Sequence, residues 1–202
     1  NSWWSHDIKG TVRGLAASDE CLVVSTDQGV ISCFANAEPN QTKTRKRPFR
    51  EMPLSVRQIY STAAQEICDK TDVKSGICID LNADDAYLAA ALARISTFQI
   101  YVVMKDAEHA ATARQFLHDA GLYGSRVVVH VADSEQLPYS KHFANLVICS
   151  ASLYRDMNPQ LLSEARRIQR PYGGQFCRGP VRKMQVETKA DLKGAGSWTH
   201  QY

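Results

Sequence analysis

Gly76-Ile-Cys-Ile-Asp80-Leu-Asn-Ala-Asp-Asp-Ala86 is the stretch whose reading decides the fold. It opens as a short apolar run of the kind buried on both faces of a parallel sheet. It then turns acidic and leads into the Ala- and Leu-rich residues 84–94, which read as a helix. Asp84 and Asp85 suit its first turn, where the helix dipole favours negative charge. Working outward, Val56, Ile59, Tyr60, Ala63, Ala64 and Ile67 recur at helical spacing and predict a helix over 56–70. Downstream, 99–104 is an apolar strand. The segment 107–120 is a helix that stops at Gly121, a C-terminal cap signal. Residues 126–131 and 143–149 are strands, 159–169 is a helix closed by Pro171 and Gly173-Gly174, and 175–177 is a short strand. The alternation predicts an α/β fold with a mostly parallel central sheet and helices on both faces. Ligands in such sheets bind beyond the carboxyl ends of the strands, where the strand order reverses.

The 202 residues suffice for one full domain with a core, plus smaller pieces. Before the α/β pattern, Cys21-Leu-Val-Val-Ser25 and Val30-Ile-Ser-Cys-Phe34 flank a turn at Asp27 and Gly29, a β-hairpin signal, and Gly10 to Leu15 reads as a preceding strand. A linker with Pro39, Pro48 and Pro53 and a cluster of Lys and Arg follows. The expected organisation is a hairpin piece over 1–37, the basic linker over 38–55, the α/β domain over 56–185 and a tail over 186–202. The net charge of +3 points to neither nucleic acid nor a membrane as partner, and no apolar run is long enough to span a bilayer. Because it starts at Asn1, the chain reads as a processed product or an excised piece. The six cysteines form no Cys-x-x-Cys pair and mostly sit in apolar runs, so they read as small buried hydrophobes, and no clustered Cys and His mark a metal site.

The segment from Ile77 to Cys149 resembles the S-adenosylmethionine (SAM) binding core of class I methyltransferases. The resemblance is carried by the strand and acidic loop at Asp80, by Ala132-Asp133 followed by Leu137-Pro138-Tyr139, and by Phe143-Ala-Asn-Leu-Val147. It extends to the run from Leu161 to Gly174. It implies a Rossmann-like SAM-methyltransferase fold, with SAM as cofactor and a small-molecule or protein methyl acceptor. It places cofactor contacts at Asp80, Asn82, Ala83, Asp84, Met104, Asp106, Ala132, Asp133 and Cys149, and nominates no catalytic residue and no metal ligand. The flanks, Trp3-Trp4 with Leu22 to Phe34 and the tail Gly194 to Tyr202, resemble fragments of a quinoprotein-type β-propeller repeat. That implies a methyltransferase-like domain set into a longer propeller chain.

Two departures bear on the cofactor. The family's first loop is glycine-rich, whereas Asn82, Asp84 and Ala86 stand at the glycine places here. Glycine there permits positive φ and close approach of the ligand to bare backbone; Asn and Asp tolerate the left-handed conformation but add bulk. Asp84 and Asp85 also bring negative charge towards a carboxylate-bearing ligand. At the end of the second strand Met104 replaces the acid that grips the ribose hydroxyls, and a thioether is a weak acceptor. Asp106, two residues on, is the substitute if the loop bends towards the sugar. Tyr154 and Arg155 stand where they could face a substrate, but they read better as surface-loop residues. No Gly-x-Gly-x-x-Gly follows the first strand, which sets aside a nucleotide-dependent oxidoreductase. The expectation is a methyltransferase-like domain with a degenerate cofactor loop and weak or absent SAM binding; the alternative is a non-catalytic binding or structural module.

Overall fold

The computed structural model describes residues 4–36, 53–134, 136–192 and 194. The chain divides into two compact units, Asn1–Lys46 and Arg47–Tyr202. The first is a three-stranded antiparallel sheet in the order β1 (Val12–Ala17), β2 (Cys21–Thr26), β3 (Ile31–Ala35). The expected hairpin is β2–β3, closed where Gly29 adopts φ +73°. The expected preceding strand pairs with it as β1, and Asp27 ties its approach by accepting the Thr11 N–H at 2.9 Å. Trp4 and His6 pack against Phe34, each with ring centroids 5.0 Å from it. The linker up to residue 52 and the tail beyond 194 lie outside the described residues.

The second unit runs α1 (Leu54–Lys70), β4 (Ser75–Asp80), α2 (Tyr87–Ile95), β5 (Thr97–Met104), α3 (Ala107–Asp119), β6 (Val127–Val131), β7 (Leu146–Ile148), α4 (Pro159–Ile168), β8 (Gln175–Arg178), β9 (Gln185–Thr188). Its sheet has the order β6-β5-β4-β7-β8-β9, parallel except that β9 runs antiparallel to β8. One face packs under α1, α2 and α3. There Ala63, Ala64 and Ile67 meet Leu88, Ala89 and Leu92 above Cys78, Ile100, Val102 and Ile148. The small side chains on α1 and α2 let the two helices close on each other and on the sheet. The other face, with Ile79, Val103, Val147 and Phe176, is covered by α4 and by the segment from Leu137 to Phe143. No described helix is long and apolar enough to cross a membrane.

The elements lie near where the sequence placed them, with β7 shorter than the expected 143–149 and three further shifts. Helix α2 starts at Tyr87, not Asp84, because Asp85 turns its carboxylate to accept the Tyr87 N–H at 2.9 Å and residues 81–86 form a separate turn. Helix α1 begins at Leu54, inside the expected linker, with Pro53 preceding it. Strand β9 carries the sheet three residues past 185. It is legible only in three dimensions, since Gln185-Val-Glu-Thr188 has a single apolar residue. Its Val186 packs on the core, while Glu187 pairs with Arg166 on α4 at 2.8 Å.

Candidate functional site

The chain builds β4, β5 and β6 outward in one direction, then returns to lay β7 on the other side of β4. The reversal lies between β4 and β7, and Asp80 stands at its carboxyl end. Asp80 is fully buried. One carboxylate oxygen accepts the Ser150 N–H at 2.8 Å, while Oδ2 has no partner. Burial pushes this carboxyl up to about 7, against the pull of the Ser150 N–H and side chain and with the help of the nearby Asp85 and Asp84 charges. The Ser150 side chain faces Asp80, yet its hydroxyl makes no hydrogen bond of normal geometry. Ser134, just after Asp133, is likewise buried with an unpartnered hydroxyl. Buried polar atoms are almost always paired, so three orphans at one end of a sheet mark this end as a place built for a polar occupant.

The loop after Asp80 is drawn down onto the sheet. Leu81 donates its N–H to Ile148 and Ala83 donates to Val103, both at 2.9 Å. Asn82 takes φ +51°, so the left-handed step survives without glycine. Ala83 and Ala86 are buried, and the Ala83 N–H is spent within the protein. Asp84 is gripped in a fork by Arg155, at 2.9 and 3.0 Å, reaching across from the loop after β7. Arg155 is thus more than a surface-loop residue, although the pair itself is exposed. Asp85 accepts the Tyr60 hydroxyl at 2.7 Å as well as the Tyr87 N–H. The charge expected from Asp84 and Asp85 is therefore already matched by Arg155 and by hydrogen-bond donors. Tyr60, from α1, also meets Tyr87 and Tyr154 edge-on, with centroids 5.7 and 6.5 Å away.

At the sugar position the fold keeps Met104 fully buried in the cluster beneath α2 and α3. Asp106 does not take over the missing acid's place: its side chain caps α3, accepting the His109 N–H at 2.8 Å, and this bond holds its carboxyl below the usual range. On the adenine side, Ala132 is half-buried and Asp133 exposed. Tyr139 of the same segment packs face to face on Phe143 and shares a 2.7 Å hydrogen bond with His130. Cys149 is buried in the core beside α4, and burial pushes its thiol up to about 12. It is a packing residue.

The structure brings Asp80, Asn82, Ala83, Asp84 and Cys149 to one end of the sheet, with Met104 buried in the core and Asp106 capping α3. Sequence reasoning placed Ser134 and Ser150 just past strand ends and Tyr60 on the first helix, but gave none of them a role. The only signal for the two serines was their position directly after a strand-terminal segment. An open groove of about 500 Å³ lies nearby, between α1 (Ser55, Gln58, Ile59, Thr62) and Val181 and Arg182 after β8. No group of three or more His, Cys, Asp or Glu able to hold a metal is present among the described residues. Tested against SAM, the orphaned Asp80, Ser150 and Ser134 atoms offer the polar contacts such a ligand needs, but the sugar position does not fit.

Comparison with known proteins shows where this fold recurs. The methyltransferase domain family matches residues 79–177. Solved structures with the same fold include a Methanococcus maripaludis protein assigned as a SAM-dependent methyltransferase, at 24% identity and TM-score 0.55 over 59% of this chain and 54% of that one. The 4+2 cyclase SpnF aligns at 20% identity and TM-score 0.52, over 58% and 43%. A geranyl diphosphate methyltransferase solved with SAM aligns at 17% and 0.50, over 58% and 47%. The chain spans about half the length of these proteins. No protein of curated function matches it. The α/β unit has the fold of class I SAM-dependent methyltransferases, and part of it matches the methyltransferase domain family.

Proposed function

We propose that the α/β unit is a methyltransferase-like module with a degenerate cofactor loop that holds SAM weakly or not at all. In this reading it serves as a binding or structural module within a longer, propeller-containing chain. The observation that carries the proposal is the sugar position, where Met104 is fully buried and Asp106 is committed to capping α3. A lost hydrogen bond to a charged group costs about 1.5–3 kcal/mol, or one to two orders of magnitude in affinity. The Asp84–Arg155 pair across the loops and the internally satisfied Ala83 N–H act in the same direction. Fold alone does not assign methyl transfer, as a cyclase on the same fold illustrates.

A second reading, an active SAM-dependent methyltransferase of unidentified acceptor, is favoured by the orphaned polar atoms of Asp80, Ser134 and Ser150. Thermal unfolding of the full chain separates the two. A ligand at a thousandfold excess over its Kd stabilises by about 4 kcal/mol, a rise of several degrees. The module reading expects no shift with millimolar SAM or S-adenosylhomocysteine; a shift of that size supports the enzyme.

A further inference from the structure

Six cysteines that look alike in the sequence separate into two kinds in the fold. Cys68, Cys78, Cys149 and Cys177 are buried in the α/β unit. Cys33 is exposed and Cys21 half-buried, on adjacent strands of the N-terminal sheet. In the β2–β3 ladder Val23 faces Cys33 and Cys21 faces Ala35. Side chains two residues apart share a face of a strand. Cys21 therefore stands diagonally opposite Cys33 on the same side of the sheet. The face they share is open: Ile31, Cys33 and Ala35 are all exposed along β3. Ser18 places its hydroxyl 3.4 Å from the Cys21 sulfur. Diagonal neighbours have Cα atoms about 7–8 Å apart, and a disulfide takes up to about 6.8 Å, so a small shear of β2 against β3 brings the pair into bonding geometry.

We propose that Cys21 and Cys33 are a modification site: a dithiol that closes to a disulfide by exchange with a small-molecule disulfide such as oxidised glutathione. The exposed Cys33 thiolate attacks one glutathione sulfur, forming a mixed disulfide and releasing one glutathione thiolate. Cys21, deprotonated in turn, attacks the Cys33 sulfur and releases the second. The two cysteines are oxidised, one glutathione disulfide is reduced to two thiols, and the two protons leave with the thiols or to solvent. The bond staples β2 to β3 in a three-stranded sheet that has little core of its own.

The test uses the full chain and oxidised glutathione, followed by acid quench, alkylation, trypsin digestion and mass spectrometry. Both cysteines fall in one tryptic peptide, Gly14 to Lys43, with no Lys or Arg between its ends. The expected product is this peptide two hydrogens lighter than its reduced form and unalkylated. Its glutathione adduct should stay below about a tenth of it, because the neighbouring thiol acts at high effective concentration. In Cys21→Ser the adduct on Cys33 should persist. A stable adduct on Cys33 in the native sequence with Cys21 alkylated, full alkylation of both, a disulfide-linked dimer, or an unreacted Cys33 in Cys21→Ser would each overturn the proposal.

Discussion

Two polar regions of the α/β unit sit on the same sheet and are finished very differently. Around α4 and β9 the polar groups are matched. Arg167 forks onto Glu164 and donates to the carbonyls of Leu137 and Tyr139. Arg166 forks onto Glu187, Gln169 donates to the Gly174 and Glu187 carbonyls, and Lys189 caps the end of α4 through Arg166 and Gln169. At the carboxyl ends of β4, β6 and β7, by contrast, Asp80, Ser134 and Ser150 each leave a buried atom unpaired. A network that satisfies its members holds structure together, whereas orphans in an otherwise satisfied protein belong to a site. The contrast separates a fully paired network from the one end of the sheet where the described residues leave buried polar atoms unpaired.

Mutations can break that comparison, beginning with the scaffold. Arg167→Ala removes four hydrogen bonds and leaves Glu164 half-buried without its partner. Urea unfolding should show a loss of about 3–4 kcal/mol. Asp80→Asn should do the opposite at the orphaned site. The folded carboxyl lies near 7 and the ordinary value is 3.8, so the folded state keeps the extra proton between those values. The carboxyl's contribution to stability therefore falls as pH rises through about 4 to 7, and the cost of the buried charge is fully present above it. Asp80→Asn should be near neutral at pH 5. At pH 8 it should be stabilising by about 2–3 kcal/mol. That is less than the shift implies at about 1.4 kcal/mol per pKa unit, because the new amide has donors to satisfy. Melting curves across pH decide it; a difference that does not change with pH removes Asp80 from the site.

A smaller effect sharpens the reading of the loop. Asn82→Ala should cost about 1–2 kcal/mol because of its positive φ, and Asn82→Gly should be nearly neutral in the same unfolding assay. Combined with Asp84→Gly, the glycine change should raise SAM affinity by about tenfold if side-chain bulk and the pair to Arg155 obstruct the ligand. Smallest of all, Arg155→Ala should change stability by less than about 1 kcal/mol, since the pair is exposed to solvent.

The layers of this fold were legible because buried parallel strands leave mostly apolar runs: Gly76 to Leu81, Gln99 to Met104 and Phe143 to Cys149 each announced a strand, although the last forms only over Leu146–Ile148. The turn after Asp80 was legible in part. Asn82 carries the left-handed step as its chemistry suggests, but the sequence did not show that Asp85 accepts the Tyr87 N–H in the turn before α2, or that Arg155, far along the chain, neutralises Asp84. Those depend on the loops after β4 and β7 being brought together by the strand order. Asp106 was ambiguous for a local reason. An acid just past a strand serves a ribose or caps the next helix equally well in sequence, and the fold shows the capping bond to the His109 N–H. Ser134 and Ser150 were given no role because a serine stands out only when its surroundings leave it unpaired.

Isothermal titration of SAM into the full chain tests the account most directly. With Met104 sealed in the core and Asp106 turned to α3, no saturable heat is expected below about 1 mM. A micromolar Kd, unchanged by Asp106→Asn, would contradict it, because the nucleoside would then be held without either ribose contact that the strand end has to offer.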